Sequence, residues 1–134
     1  MAIHPFEYLA GGPNAGPPLR TILDSGIRVG AGSDSAQIST LNPWLILYYM
    51  VTGKNSSGVL INDGQQVTRA EALRLYTSAN GWFLKEESTL GSLEVGKLGD
   101  IVVLNDDYFT VPEEKLKSIK SAMTILGGKV VYTQ

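Results

Sequence analysis

Residues 91–104 read Gly-Ser-Leu-Glu-Val-Gly-Lys-Leu-Gly-Asp-Ile-Val-Val-Leu. The first part of this stretch is rich in turn-forming residues, and the second part, 100–104, is an apolar run. A short apolar run bounded by turns is typical of a strand buried on both faces. Further on, residues 119–126 and 129–133 flank the pair Gly127-Gly128, which is the pattern of a β-hairpin. The last third of the chain is therefore predicted to be mainly β structure.

The region before this stretch has the pattern of an α/β unit. Apolar residues at helical spacing predict a short helix over 19–25, which Gly26 ends. Residues 27–32 then predict a brief strand that leads into the polar turn Gly32-Ser33-Asp34-Ser35. Functional groups of α/β proteins lie at the C-terminal ends of their strands, so Asp34 is a candidate site residue. Without further information, such a turn is ordinarily a polar strand exit that binds local amides.

Two more helices are predicted from their start signals. Asn42-Pro43 provides a cap and a proline at the first helical position, and the helix runs to Gly53 with apolar residues on most faces. A polar loop over 53–66 follows. The sequence Thr68-Arg69-Ala70-Glu71 matches a capping box, and its helix is predicted to reach residues 80–81. The fold class predicted from these patterns is α/β in the first 80 residues and mainly β afterwards.

Composition limits the classes of function. The chain has 134 residues, is 43% apolar and carries a formal charge of −2, which fits one soluble domain and gives no basic footprint for nucleic acid or membrane. It has no cysteine, which excludes disulfides, thiolate metal sites and a cysteine nucleophile. It has one histidine, His4. The longest apolar run, residues 44–51, is too short to span a bilayer, and the N-terminus has no leader pattern. A cytoplasmic location is the default expectation.

Several motifs together resemble the C-terminal part of the amidohydrolase superfamily, closest to its metal-dependent family 3 branch of D-aminoacylase-like amide and imide hydrolases. The likeness covers nearly the whole chain, and its most specific part is the stretch 91–104, where order, spacing and residue type all agree. The other motifs are Gly32-Ser33-Asp34-Ser35, Asn42-Pro43-Trp44, the segment 68–73 with Tyr76-Thr77, and the segment 127–132.

The resemblance implies a fold. The family has a (β/α)8 barrel that carries a metal site, joined to a small β-sandwich built from both ends of the chain. By this likeness, residues 27–32 would be the eighth barrel strand and the helices after it would belong to the outer layer. Residues 1–85 would then form the terminal segment of the barrel, and residues 86–134 the C-terminal half of the sandwich.

The resemblance also implies a site. Asp34 falls on the family's last-strand aspartate, which approaches the metal and takes a proton from the attacking water; Ser33 and Ser35 are candidates to orient it. The family uses zinc or another divalent metal, but its histidine ligands and bridging lysine have no counterpart here, and His4 matches none of them. Because a catalytic metal needs about three protein ligands, Asp34 could be a metal ligand only if another polypeptide supplied the others. We therefore expect that this chain binds no metal and is inactive alone.

Two functions stay open at this point. The first is a piece of a metal-dependent hydrolase of non-peptide carbon–nitrogen bonds, with amide, imide or N-acyl substrates, arising as a natural truncation, a split enzyme or a partial sequence. The second is a stand-alone oligomerising binding or scaffold module that reuses this fold. Both would leave strand edges and apolar faces open. The expected partner is a second copy of the chain or a missing N-terminal barrel polypeptide, and neither nucleic acid nor a membrane.

Overall fold

The computed structural model of the chain describes residues 16–33 and 41–134. In these ranges helices come first and a small antiparallel sheet follows, so the mixed α/β class predicted from the sequence is confirmed. The helices are α1 (Leu19–Asp24), α2 (Pro43–Thr52), α3 (Arg69–Tyr76), α4 (Ser78–Leu84) and α5 (Glu113–Leu116), and the strands are β1 (Ile101–Leu104), β2 (Ser121–Leu126) and β3 (Lys129–Thr133).

Helix α2 begins and ends at the residues that the sequence indicates. The Asn42 side chain accepts a hydrogen bond from the Trp44 amide at 3.0 Å, and Pro43 occupies the first turn, where its missing N–H costs nothing. Gly53 ends the helix at φ +70°, a left-handed conformation that favours glycine. Gly26 plays the same part after α1, at φ +74°.

Helix α3 has the predicted start and a different end. Thr68 Oγ1 accepts from the Glu71 amide at 3.2 Å, and a Glu71 carboxylate oxygen accepts from the Thr68 amide at 2.8 Å, which completes the capping box. The prediction of one helix reaching residues 80–81 is wrong, because the chain breaks at Thr77 and restarts as α4. The Thr77 hydroxyl donates to the Leu73 carbonyl at 2.8 Å, a back-bond that bends helices.

The predicted strand over 27–32, which the likeness would make a barrel strand, is also wrong for the described residues. No strand forms there. A strand needs a neighbouring strand to take up its backbone hydrogen bonds, and the Ala31 amide donates instead to the carbonyl of Leu75 in α3 at 2.9 Å. The segment therefore lies against helices and not in a sheet.

The hydrophobic core is built around α2. As the sequence predicts, this helix is buried on most faces, and the side chains that form the core with it come from α1, α3 and α5 and from the turns near them. The fully or nearly buried members are Leu19, Ile46, Leu47, Tyr48, Tyr49, Met50, Val67, Ala72, Leu75, Tyr108, Val111, Leu116 and Ile119. None of them belongs to the three strands, so the core of the described ranges is a helical one.

A cluster of charges joins α2 to α5. Glu114 accepts hydrogen bonds from Lys117 Nζ at 3.0 Å, from the Tyr48 hydroxyl at 2.9 Å and from Lys54 Nζ at 3.1 Å. These donors, Lys117 foremost, lower the pKa of Glu114 to about 2. Burial of the Tyr48 hydroxyl and its bond to Glu114 raise the pKa of Tyr48 to about 12. The two elements are thus held together by a carboxylate that stays ionised in mild acid.

The sheet has the order β1-β2-β3 and is antiparallel throughout. Ile101 lies opposite Ile125, and Thr124 lies opposite Tyr132. The predicted hairpin is confirmed: Gly127-Gly128 joins β2 to β3 with φ angles of +56° and +77°. Positive φ at both turn residues matches the twist of the flanking strands, which is why a glycine pair is suited to this turn.

Much of this sheet is exposed on both faces, although β2 is half-buried as far as Ile125. Val102 and Val103 are neighbours in β1, so their side chains point to opposite faces, yet they are 48% and 44% exposed. Every residue of β3 is exposed as well. The prediction that residues 100–104 are buried on both faces is therefore wrong for the described ranges, because no second layer of structure covers the sheet there.

Candidate functional site

The candidate residue Asp34 lies outside the described residues, as do Ser35 and His4. Its role therefore stays a prediction. What the structure does describe is the chain that leads into it, residues 27–33, and the corner between α3 and α4 against which this chain lies.

Ala31 is held by both of its backbone polar groups. Its amide donates to the Leu75 carbonyl at 2.9 Å, and its carbonyl accepts from Asn80 Nδ2 at 2.9 Å. The Leu75 carbonyl can accept because the last carbonyls of a helix have no partner within it, and α3 ends one residue later. The break at Thr77 thus creates the acceptor, and the first turn of α4 provides the donor.

Gly30 permits the close approach of Asn80. A Cβ atom at this position would lie 2.1 Å from Asn80 Oδ1 and 3.1 Å from the ring of Phe83. Real Cβ atoms do not come that close, so any larger residue would displace the Asn80 side chain from Ala31. The glycine and the asparagine therefore form one unit, in which the small residue makes room for the hydrogen bond.

Ser33 contacts α3 through its side chain. It forms a hydrogen bond with the Tyr76 side chain that acts to lower the pKa of Tyr76, although burial has the larger effect and the net pKa is raised. Ser33 was predicted to orient Asp34, and the structure places its side chain on Tyr76. The last residue before Asp34 is thus fixed to the end of α3.

A second set of contacts holds α1, which precedes this segment. Arg20 Nη1 donates to both carboxylate oxygens of Glu71 at 2.9 and 3.0 Å, and its Nε donates to Asp24 at 2.9 Å. Hydrogen bonds from Thr68 and Arg20 lower the pKa of Glu71. One carboxylate therefore both caps α3 and binds α1, so the helix that precedes the segment 27–33 is attached to α3.

Asn80 and Tyr76 were not among the residues that the sequence indicated for the site. Tyr76 occurs in a motif that carries the family resemblance, but no role was assigned to it. The available signal for Asn80 was weak: asparagine favours helix starts over helix interiors, which suggests a helix boundary just before it. Its bond to a residue 49 positions away depends on how the helices pack, and no local pattern shows that.

The described residues do not fit a catalytic divalent metal. Within 16–33 and 41–134, no group of three or more His, Cys, Asp or Glu side chains could hold a metal ion. The sequence contains no cysteine, and its one histidine, His4, is outside these ranges. Because a catalytic metal needs about three protein ligands, the residues in these ranges do not form such a site by themselves. In the same ranges, no helix is long and apolar enough to cross a membrane.

Comparison with known proteins agrees with the family that the sequence motifs resemble. A sequence model described as "Amidohydrolase family" matches residues 4–132. N-substituted formamide deformylase of Arthrobacter pascens is 30% identical over 115 residues, which are 86% of this chain and 21% of that protein. Imidazolonepropionase of Bdellovibrio bacteriovorus is 30% identical over 95 residues, 71% of this chain and 20% of that protein. Imidazolonepropionase of Porphyromonas gingivalis is 30% identical over 129 residues, 87% of this chain and 25% of that protein. The chain thus spans a fifth to a quarter of the length of these relatives.

Proposed function

The chain belongs to the amidohydrolase family, and from this premise we propose that it supplies the segment carrying Asp34 to a hydrolase of non-peptide carbon–nitrogen bonds. The observation that carries the proposal is the family match over residues 4–132. The names of the relatives point to two substrate classes, N-substituted formamides and imidazolonepropionates. Both contain a carbonyl carbon bonded to nitrogen, and in both that bond is the one a hydrolase would cleave.

In this proposal Asp34 acts as the general base. Water attacks the carbonyl carbon, a carbon–oxygen bond forms, and the water proton passes to the Asp34 carboxylate. The carbon–nitrogen bond then breaks, and the proton is delivered to the leaving nitrogen. A carboxylate suits both halves of this step because it can accept a proton and return it. The groups that polarise the carbonyl would have to come from outside the described residues.

The chain alone is proposed to be inactive. The support is chemical: within the described ranges no cluster of metal-ligating side chains exists, and the family's histidine ligands have no counterpart in the sequence. The complementary ligands would then come from residues outside these 134, and a His-x-His motif in the adjoining coding sequence or in a neighbouring reading frame would identify the histidine-bearing polypeptide.

The test uses the 134-residue chain with added zinc or manganese and a panel of N-substituted formamides, imides and N-acyl amino acids. We expect no turnover from the chain alone, and turnover when it is co-expressed with the histidine-bearing polypeptide. Asp34→Ala should abolish that activity, whereas Asp106→Ala, which alters an exposed turn aspartate, should leave it unchanged. Robust turnover by the isolated chain that disappears in Asp34→Ala would overturn the claim that the chain is inactive alone.

The second candidate function is a self-associating module, and the open sheet favours it. Val130 and Val131 in β3 are 57% and 58% exposed, and edge strands with free backbone groups tend to pair with another chain. This candidate predicts a dimer or larger assembly that Val131→Lys converts to monomer. Light scattering that gives a monomer of 14.4 kDa at micromolar concentration would contradict it.

A further inference from the structure

We infer that the corner between α3 and α4 is a two-state element, in which the Leu75 carbonyl accepts a hydrogen bond either from Ala31 or from Ala79. In the first state, which the structure shows, the segment 27–31 lies against the corner and the two helices are separate. In the second state the segment is released, and one continuous helix runs over residues 69–84. The inference concerns the fold and does not depend on the proposed function.

The interruption between the two helices is a single residue long. Helix α3 ends at Tyr76 and α4 begins at Ser78, so Thr77 is the one residue between them. Residues 69–84 contain no proline, and the sequence by itself predicts a helix that continues past this point. Local sequence therefore favours the continuous helix, and contacts from elsewhere in the chain hold the break.

The Leu75 carbonyl is the group for which the two states compete. In a continuous α-helix each carbonyl accepts from the amide four residues later, so the partner of Leu75 would be Ala79. In the structure the Ala31 amide donates to this carbonyl at 2.9 Å. A helical carbonyl points along the helix axis, and the amide four residues later lies directly in front of it. The two donors therefore need the same position and exclude each other.

The same segment is bound to α4 as well. The Ala31 carbonyl accepts from Asn80 Nδ2 at 2.9 Å, and the Asn80 backbone amide donates to the Thr77 carbonyl, three residues back instead of four, at 3.1 Å. Gly30 permits this approach, since a Cβ there would lie 2.1 Å from Asn80 Oδ1 and 3.1 Å from the ring of Phe83. The segment thus holds α3 through its amide and α4 through its carbonyl, which keeps the two helices apart.

The state of the corner also determines the surroundings of an exposed aromatic pair on α4. The rings of Trp82 and Phe83 meet edge to face, with centroids 5.0 Å apart, and both side chains are exposed. The Arg28 guanidinium lies 4.7 Å from the centroid of the Trp82 ring. Release of the segment separates Arg28 from this ring. A molecule that binds the free segment 27–31 therefore shifts the corner towards the continuous helix, and one that binds Arg28 and Trp82 together shifts it back.

The first experiment is amide hydrogen exchange by NMR on the full 134-residue chain. Gly30→Ala displaces the segment, and Gly32→Ala is the matched control, because a Cβ at Gly32 meets no atom of the described residues within 4 Å. In Gly30→Ala we expect the Ala31 amide to exchange about five- to tenfold faster and the Ala79 amide about five- to tenfold slower, each by the value of one hydrogen bond. Gly32→Ala should keep the wild-type rates.

The opposite signs distinguish competition from a loss of structure, which would speed exchange at both amides. If the Ala79 amide in Gly30→Ala exchanges at the wild-type rate or faster, while the amides of α2 keep their protection, the inference is wrong.

The second experiment decides the case in which Gly30→Ala destabilises the whole fold and the α2 amides lose protection. Thr77→Ala leaves the segment untouched, removes the side-chain back-bond at the break and raises its helix propensity. We expect slower exchange at Ala79, faster exchange at Ala31 and a nuclear Overhauser contact between the Leu75 α-proton and the Ala79 amide, as in a continuous helix. Slower exchange at Ala79 with no change at Ala31 would show that the donors do not compete and would overturn the inference. Unchanged or faster exchange at Ala79 would overturn it as well.

Discussion

Arg69 joins the helical core to the chain that follows β1, and its replacement by leucine is a quantitative test of that connection. The guanidinium donates to the carbonyls of Tyr108 and Val111 at 2.7 and 2.6 Å. Leucine keeps the helix propensity and part of the bulk of arginine, so the change removes these two hydrogen bonds and leaves α3 able to form.

The magnitude follows from the two contacts. A hydrogen bond to a charged group contributes about 1.5–3 kcal/mol. Because Arg69 is only half-buried, the lower part of that range applies to each bond, and the loss of both should reduce the free energy of unfolding by about 3–4 kcal/mol. The reciprocal bond from the Tyr108 hydroxyl to the Arg69 backbone carbonyl, at 3.1 Å, survives this substitution. Tyr108→Phe removes it alone and should cost about 1 kcal/mol.

Urea unfolding followed by tryptophan fluorescence measures these differences, since the ring centroid of Trp44 lies 6.1 Å from that of Tyr108. Arg74→Leu is the matched control: it is an exposed arginine of the same helix and should change stability by no more than about 0.5 kcal/mol. If Arg69→Leu and Arg74→Leu have the same urea midpoint, the claim that Arg69 stabilises the fold by holding residues 105–112 on α3 is wrong.

Three further predictions concern local features. The pKa of Glu114 is about 2 in the folded chain, below its ordinary value, so the ionised carboxylate stabilises the fold at neutral pH. This contribution is lost as pH falls from about 4.5 towards 2. The urea midpoint of the wild type should drop over that interval, and that of Glu114→Gln should drop less. Thr68→Ala removes the cap of α3 and should cost about 1 kcal/mol of unfolding free energy by the same assay, with Ser78→Ala near zero. Gly128→Ala places a side chain at a position with positive φ and should reduce the free energy of unfolding by about 1–2 kcal/mol. The thermal midpoint should fall accordingly, and an unchanged midpoint would contradict the turn geometry.

The parts of the fold that were predictable depend on neighbouring residues. Asn42-Pro43 starts α2, Thr68 and Glu71 start α3, and Gly127-Gly128 turns the hairpin. In each case the donor, the acceptor or the required φ lies within a few positions, so the sequence alone contains the full cause. The break at Thr77 is the exception: the Thr77 hydroxyl bonds the Leu73 carbonyl, but such a bond only bends a helix slightly, so the local sequence does not predict that the helix ends there.

The parts that were not predictable depend on distant partners. Residues 27–32 have strand-like composition, but without a neighbouring strand their backbone bonds go to a helix and to Asn80. The apolar run in β1 predicts burial on both faces, whereas Val102 and Val103 are exposed because nothing in the described ranges covers them. The composition of a segment shows that it could be buried, whereas its actual burial depends on whether another part of the structure packs against it.

The proposal that these 134 residues need metal ligands from outside them to become a hydrolase is tested most directly by metal analysis combined with an amide-hydrolysis assay on the purified 134-residue chain. After incubation with excess zinc and removal of free ion, we predict far less than one metal per chain and no hydrolysis of N-substituted formamides. One tightly bound metal per chain, with turnover that Asp34→Ala abolishes, would contradict the claim.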